Sequence, residues 1–81
     1  MAGNGPQPSA EYRANNGLQG LTDRQLQVLR LLGRGLTDAE IARELFLSTR
    51  TVNAHLRSIY RKLAVSHRSA ATRVAIQNGI I

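Results

Sequence analysis

Arg50, Arg57, Arg61 and Lys62 fall within one stretch, Ser48 to Leu63 (STRTVNAHLRSIYRKL), that contains no acidic residue. At about 100° per residue, Val52, Leu56, Ile59 and Leu63 share one narrow helical face. Arg50, Ala54, Arg57 and Arg61 then lie between roughly 140° and 200° from Val52, on the opposite side, with Thr51, Ser58 and Lys62 along one flank. A helix that buries one side and presents guanidinium groups, hydroxyls and one small apolar residue on the other has the chemistry of an element inserted into a DNA major groove. Taken alone, the stretch fits an ordinary amphipathic helix with a solvated charged face just as well. The surrounding chain must separate the two readings.

Eighty-one residues support one small domain, which buries only about 60–65% of its potential surface. The chain has no cysteine, so disulfides and thiol metal sites are excluded and stability must come from packing. No apolar run approaches the roughly 18–20 residues of a membrane span, and the first residues lack the layout of a secretion signal, so the expected location is the cytoplasm. The net charge of +6 is unevenly placed. Residues 1–44 balance Arg13, Arg24, Arg30, Arg34 and Arg43 against Glu11, Asp23, Asp38, Glu40 and Glu44. Residues 45–81 carry Arg50, Arg57, Arg61, Lys62, Arg68 and Arg73 with no acid, so the whole excess belongs there and a polyanion should be met there. A basic membrane-surface helix would want a broader face of bulky apolar groups than this narrow stripe offers.

Residues 1–20 hold both prolines and four of the seven glycines, a linker composition that predicts a flexible arm. Folded structure should begin at Leu21, where Thr22 and Gln25 form a capping box ahead of Leu26, Val28, Leu29 and Leu32. This first helix runs to about Arg34, and Gly33 and Gly35 supply the reversal. Leu36 should pack back as a staple. Thr37 and Glu40 form a second capping box, and Ile41, Ala42 and Leu45 make a short second helix. Only Phe46 and Leu47 separate it from Ser48, a good N-cap for the third helix (about 49–63). Helices joined so tightly must cross steeply, as in a helix-turn-helix: Ala42 is the small residue at the crossing, and Ile41, Leu45, Leu47 and Val52 take the apolar positions. Phe46 occupies a turn position often held by glycine, which leaves its dihedrals open. A fourth helix starts at Ser66 or His67 and ends before Gly79, with Ala71, Val74 and Ala75 facing the core and Thr72, Arg73 and Ile76 facing outward. Ile76, Ile80 and Ile81 leave an apolar C-terminal surface suited to self-association, unless Ile80 and Ile81 fold back on the core.

The motifs L-T-D-R (Leu21 to Arg24), V-L-R-L-L-G-R-G-L-T (Val28 to Thr37), E-I-A-R-E-L (Glu40 to Leu45) and the Ser48 to Leu63 stretch together resemble the LuxR-type (FixJ or GerE-type) DNA-binding domain of bacterial transcription regulators. The resemblance runs from Leu21 to about Ala75. Departures are Gln25, where the family usually has Glu, Ala64, where Gly is common, and His67 to Ala70. It implies an all-α, four-helix domain at 21–81 behind an arm at 1–20, either free-standing or cut from a larger regulator. Such a domain binds double-stranded DNA as a dimer on two half-sites, with RNA polymerase as a further partner. The positions matching Asn53, Ala54 and Arg57 face base edges. Those matching Ser48, Thr49, Arg50, Thr51, Arg61 and Lys62 lie near phosphates, and Thr72, Arg73 and Ile76 lie at the dimer contact. The chemistry agrees: the Arg57 fork matches guanine O6 and N7, Asn53 can pair with adenine N6 and N7, and Ala54 can touch a thymine methyl.

His55 falls between the apolar stripe and the phosphate flank. With His67 the only other imidazole and no cysteine, a zinc site lacks ligands, so a half-buried histidine that packs against the helix pair or reaches a phosphate is expected, and no cofactor or metal is implied. No nucleophile adjoins a base and no phosphate loop is present, so an enzyme is not expected; Thr37 with Glu40 reads as a cap. The competing functions are a promoter-reading domain like that of a sigma factor, which shares the helix pair but not the associating fourth helix, a basic module that docks an acidic protein, and the anchor domain of a recombinase.

Overall fold

A computed structural model describes Leu18 and residues 20–80. The arm expected at 1–20 therefore lies outside the described residues except for Leu18 and Gly20, and Ile81 lies outside them too. The architecture is all-α: α1 spans Asp23–Gly33, α2 Asp38–Leu45, α3 Thr49–Leu63 and α4 Arg68–Gln77. There is no strand among the described residues.

Each helix starts on a side chain that accepts a backbone amide the helix cannot satisfy itself. Thr22 accepts from Gln25 N–H and Thr37 from Glu40 N–H, and in both cases the third helical side chain returns the bond to the capping residue's own amide. Both boxes match the sequence expectation. Ser48 caps α3 by accepting from Thr51 N–H, and His67 caps α4 through Nδ1, which accepts from Ala70 N–H at 3.4 Å.

All four helices end in one way. The residue in the left-handed conformation donates its N–H back to the carbonyl three residues earlier, and the next residue donates to the one five earlier. The outer bonds are Leu36 N–H to Leu31 O, Leu47 to Ala42, Val65 to Tyr60 and Ile80 to Ala75, at 2.8–3.3 Å. Leu36, Leu47, Val65 and Ile80 are each partly buried against the core, so every closure also seats an apolar side chain. Ile80 thus folds back rather than standing free, and its carbonyl accepts from Arg30 Nε at 3.1 Å. Gly35 and Gly79 supply positive φ at two of the closures, while Phe46 (φ 58°) and Ala64 (φ 59°) supply it at the others.

A side chain in that region costs roughly 1–2 kcal/mol, and Phe46 recovers nothing by burial because it is 93% exposed. Gly forfeits about 0.5–1 kcal/mol of that gain through the unfolded chain. Phe46→Gly is therefore expected to raise stability by about 0.5–1 kcal/mol and the thermal midpoint by about 2–8 °C. A lower midpoint would show that the ring makes contacts of its own.

The core is one cluster. Val28, Leu29 and Leu32 of α1, Ile41 and Ala42 of α2, Val52, Leu56 and Ile59 of α3, and Ala71 and Ala75 of α4 meet with Leu18 and Leu21. Leu18 is buried and its carbonyl accepts from Leu21 N–H, so packing reaches into the stretch whose composition reads as linker. α1 lies at the centre, packed on α4 and α3, while α2 packs chiefly on α3. The alanines of α4 let it approach closely. A second tie holds α4 to the start of α2: Arg68 donates to Asp38 Oδ1 and to Leu36 O, both at 2.8 Å.

Candidate nucleic-acid interface

α3 is held by its buried edge, and its opposite edge is free. Val52, Leu56 and Ile59 are buried, whereas Thr49, Arg50, Asn53, Ala54, Arg57, Arg61 and Lys62 are exposed and Thr51 and Ser58 are half-buried. The structure thus brings every residue of the expected reading and positioning sets onto the free side or start of a single helix, next to the tight turn that fixes it against α2. His55 is half-buried, as its position between stripe and flank suggests.

The start of the helix combines a fixed cap with open backbone donors. Ser48 Oγ, besides accepting from Thr51 N–H, donates to Thr51 Oγ1 at 3.0 Å, which locks both hydroxyls in place. An α-helix leaves its first amides without intrahelical acceptors; with Thr51 capped, those of Thr49 and Arg50 face out of the helix start, where an anionic oxygen is favoured. One turn on, Asn53 Nδ2 donates to Thr49 O at 3.0 Å. This bond is exposed, so the amide can exchange it for a base edge at small cost, and Oδ1 remains open to a donor.

The electrostatics are one-signed. Among the described residues no carboxylate pairs with a cation of α3, and the one basic side chain of the second half with an ion pair is Arg68. Arg68 belongs to the structural tie with Asp38 and not to the free face, although a count of charges along the chain cannot distinguish it from the others.

Composition and periodicity also leave a role of Gln25 unread beyond capping. Gln25 is 7% exposed; its Nε2 donates to Ser58 Oγ at 3.0 Å, and its Oε1 accepts from Thr22 N–H at 3.1 Å and from Lys62 Nζ at 2.9 Å. The signal is present in the spacing: Gln25 precedes Val28, Leu29 and Leu32 by three, four and seven, on the face of α1 that meets the core. Arg73 and Ile76 of α4 are exposed, Ile76 at 60%, while Thr72 is half-buried.

A family model described as bacterial regulatory proteins, luxR family, matches residues 19–75. The chain belongs to that family. The luxR-family match makes it a helix-turn-helix domain of DNA-binding transcription regulators, in keeping with the resemblance seen in its motifs. Over 58 residues it is 48% identical to a nitrate/nitrite response regulator protein homolog of Haemophilus influenzae, covering 72% of this chain and 28% of that protein. It is 40% identical over 63 residues to the transcriptional regulatory protein LiaR of Bacillus subtilis (78% and 30%), and 39% identical over 70 residues to LnrK of the same organism (86% and 32%). The chain therefore spans less than a third of the length of these relatives. No solved structure matches it. Among the described residues no helix is long and apolar enough to cross a membrane.

Proposed function

We propose that this luxR-family domain binds double-stranded DNA by placing α3 in the major groove, with Asn53, Ala54 and Arg57 at base edges. Ser48, Thr49, Arg50, Thr51, Arg61 and Lys62 lie along the phosphates. The observation that carries this reading is the exposed face of α3: cationic, free of acids, and anchored from behind by Val52, Leu56 and Ile59. Phosphate contacts fix register and base-edge contacts supply sequence preference, and this face holds both kinds of group one turn apart. Two copies bind together, with Thr72, Arg73 and Ile76 of α4 at the contact; the exposed Ile76 beside the folded-back Ile80 supports this arrangement. The domain is the output part of a longer cytoplasmic regulator that acts on transcription with RNA polymerase; the relative named as a nitrate/nitrite response regulator homolog, and the chain's spanning less than a third of its relatives, support this reading.

Selection from random duplexes tests the proposal. Two inverted copies of one short sequence are expected, with centres about one helical turn, or a whole number of turns, apart, because a two-fold pair of recognition helices presents itself at that interval. Enrichment of a single unrepeated sequence would contradict the dimer, and absence of any enrichment would contradict base reading by α3.

A further inference from the structure

The exposed face of α3 does not stand entirely on its own helix. Lys62 sits at its last turn, and its ammonium is held by a side chain from the start of α1, 37 residues away in sequence. That side chain, Gln25, is buried, and three of its four hydrogen-bonding valences are taken by the Thr22 amide at the cap of α1, by Ser58 on the flank of α3, and by Lys62 one turn further along α3. The partners fix which way the amide faces. Thr22 N–H and Lys62 Nζ are donors, so both require the carbonyl oxygen, and a reversed amide would turn its NH2 group on two donors.

We infer that Gln25 is a positioning residue for DNA binding: it orients the Lys62 ammonium toward phosphate through a neutral acceptor, so that the side chain is ordered while its charge stays uncancelled. This rests on the reading of α3 as the DNA-facing helix. The choice of amide over carboxylate matters physically. A carboxylate in the same place would form an ion pair with Lys62, and an approaching phosphate would have to compete with it. The amide oxygen takes one of the ammonium's three protons and leaves two protons and the whole charge for an anion. The amide also bridges Ser58 and Lys62 across successive turns, which confines the flexible lysine stem before DNA arrives.

The isosteric variant Gln25→Glu tests this, because a glutamate at the third helical position still closes the capping box on Thr22 and the domain should fold. Thermal unfolding confirms the fold, and duplex affinity is then followed from 50 to 200 mM salt. If Lys62 delivers one phosphate contact, Gln25→Glu lowers the salt slope by about 0.9 per monomer. The loss of affinity over that range then becomes about 3.5-fold smaller per monomer, equally for all duplex sequences. Lys62→Ala should give the same reduction, and adding Gln25→Glu to it should change nothing further. A wild-type slope in folded Gln25→Glu would overturn the inference while leaving DNA binding intact. So would an effect of Gln25→Glu that persists in the Lys62→Ala background. A wild-type chain that binds no duplex at all would overturn the reading of α3 and this inference with it.

Discussion

Arg57→Ala is expected to cost about 1–3 kcal/mol of DNA-binding free energy and to relax preference at a single base pair of each half-site. Arg57 lies midway along the exposed edge of α3, one turn beyond Asn53 and opposite the buried Val52 and Ile59, so a helix lying in a groove by this edge brings it toward the base edges. Its fork of donors matches the two acceptors that guanine presents in the major groove, and alanine leaves both unpaired. Since a phosphate contact would be lost equally on every sequence, the diagnostic is a difference: the chosen duplex weakens by about 5- to 150-fold while unrelated duplexes weaken far less. Competition binding with duplexes altered one position at a time reads this directly. Uniform weakening across all duplexes would move Arg57 from the base-reading set to the positioning set.

The second large effect concerns what holds that face in place. Ile59 is fully buried on the underside of α3, and Ile59→Ala is expected to remove about 2–5 kcal/mol of stability, from lost transfer energy and the cavity left behind. A domain of this size has only about 5–10 kcal/mol in total, so the thermal midpoint should fall by about 10 °C or more. Ile59→Val, which loses one methylene, should cost only about 0.5–1.5 kcal/mol. None of the exposed cations is touched, so below the transition the folded molecules should bind DNA with unchanged salt dependence. A loss under about 0.5 kcal/mol for the alanine variant would mean that α3 is not seated on Ile59.

The helix starts were legible because capping is local: Thr22 with Gln25, Thr37 with Glu40, and Ser48 each act within three residues, and each appears where the spacing places it. The exposed edge of α3 was legible for the same reason, since periodicity alone separates Val52, Leu56 and Ile59 from Asn53, Arg57 and Arg61. The helix ends were harder. Gly35 announces a left-handed residue, but Phe46 and Ala64 adopt the same conformation without glycine, driven by the bonds of Leu47 and Val65 that only the closed turn provides. The features that escaped local reading depend on distant partners. Gln25 looks like a cap until Ser58 and Lys62 arrive from another helix, and Arg68 counts toward the basic excess until Asp38 is found beside it. Leu18 sits among residues of linker composition, where an average over the segment hides one side chain that the core takes up.

The most direct test of a DNA-binding face on α3 is the affinity of the chain for duplex DNA as salt is raised. The exposed cations and helix-start amides predict a linear fall of log K with log salt, at a slope set by roughly 4–5 phosphates per monomer. No detectable binding to duplex at low salt, or binding indifferent to salt, would contradict it.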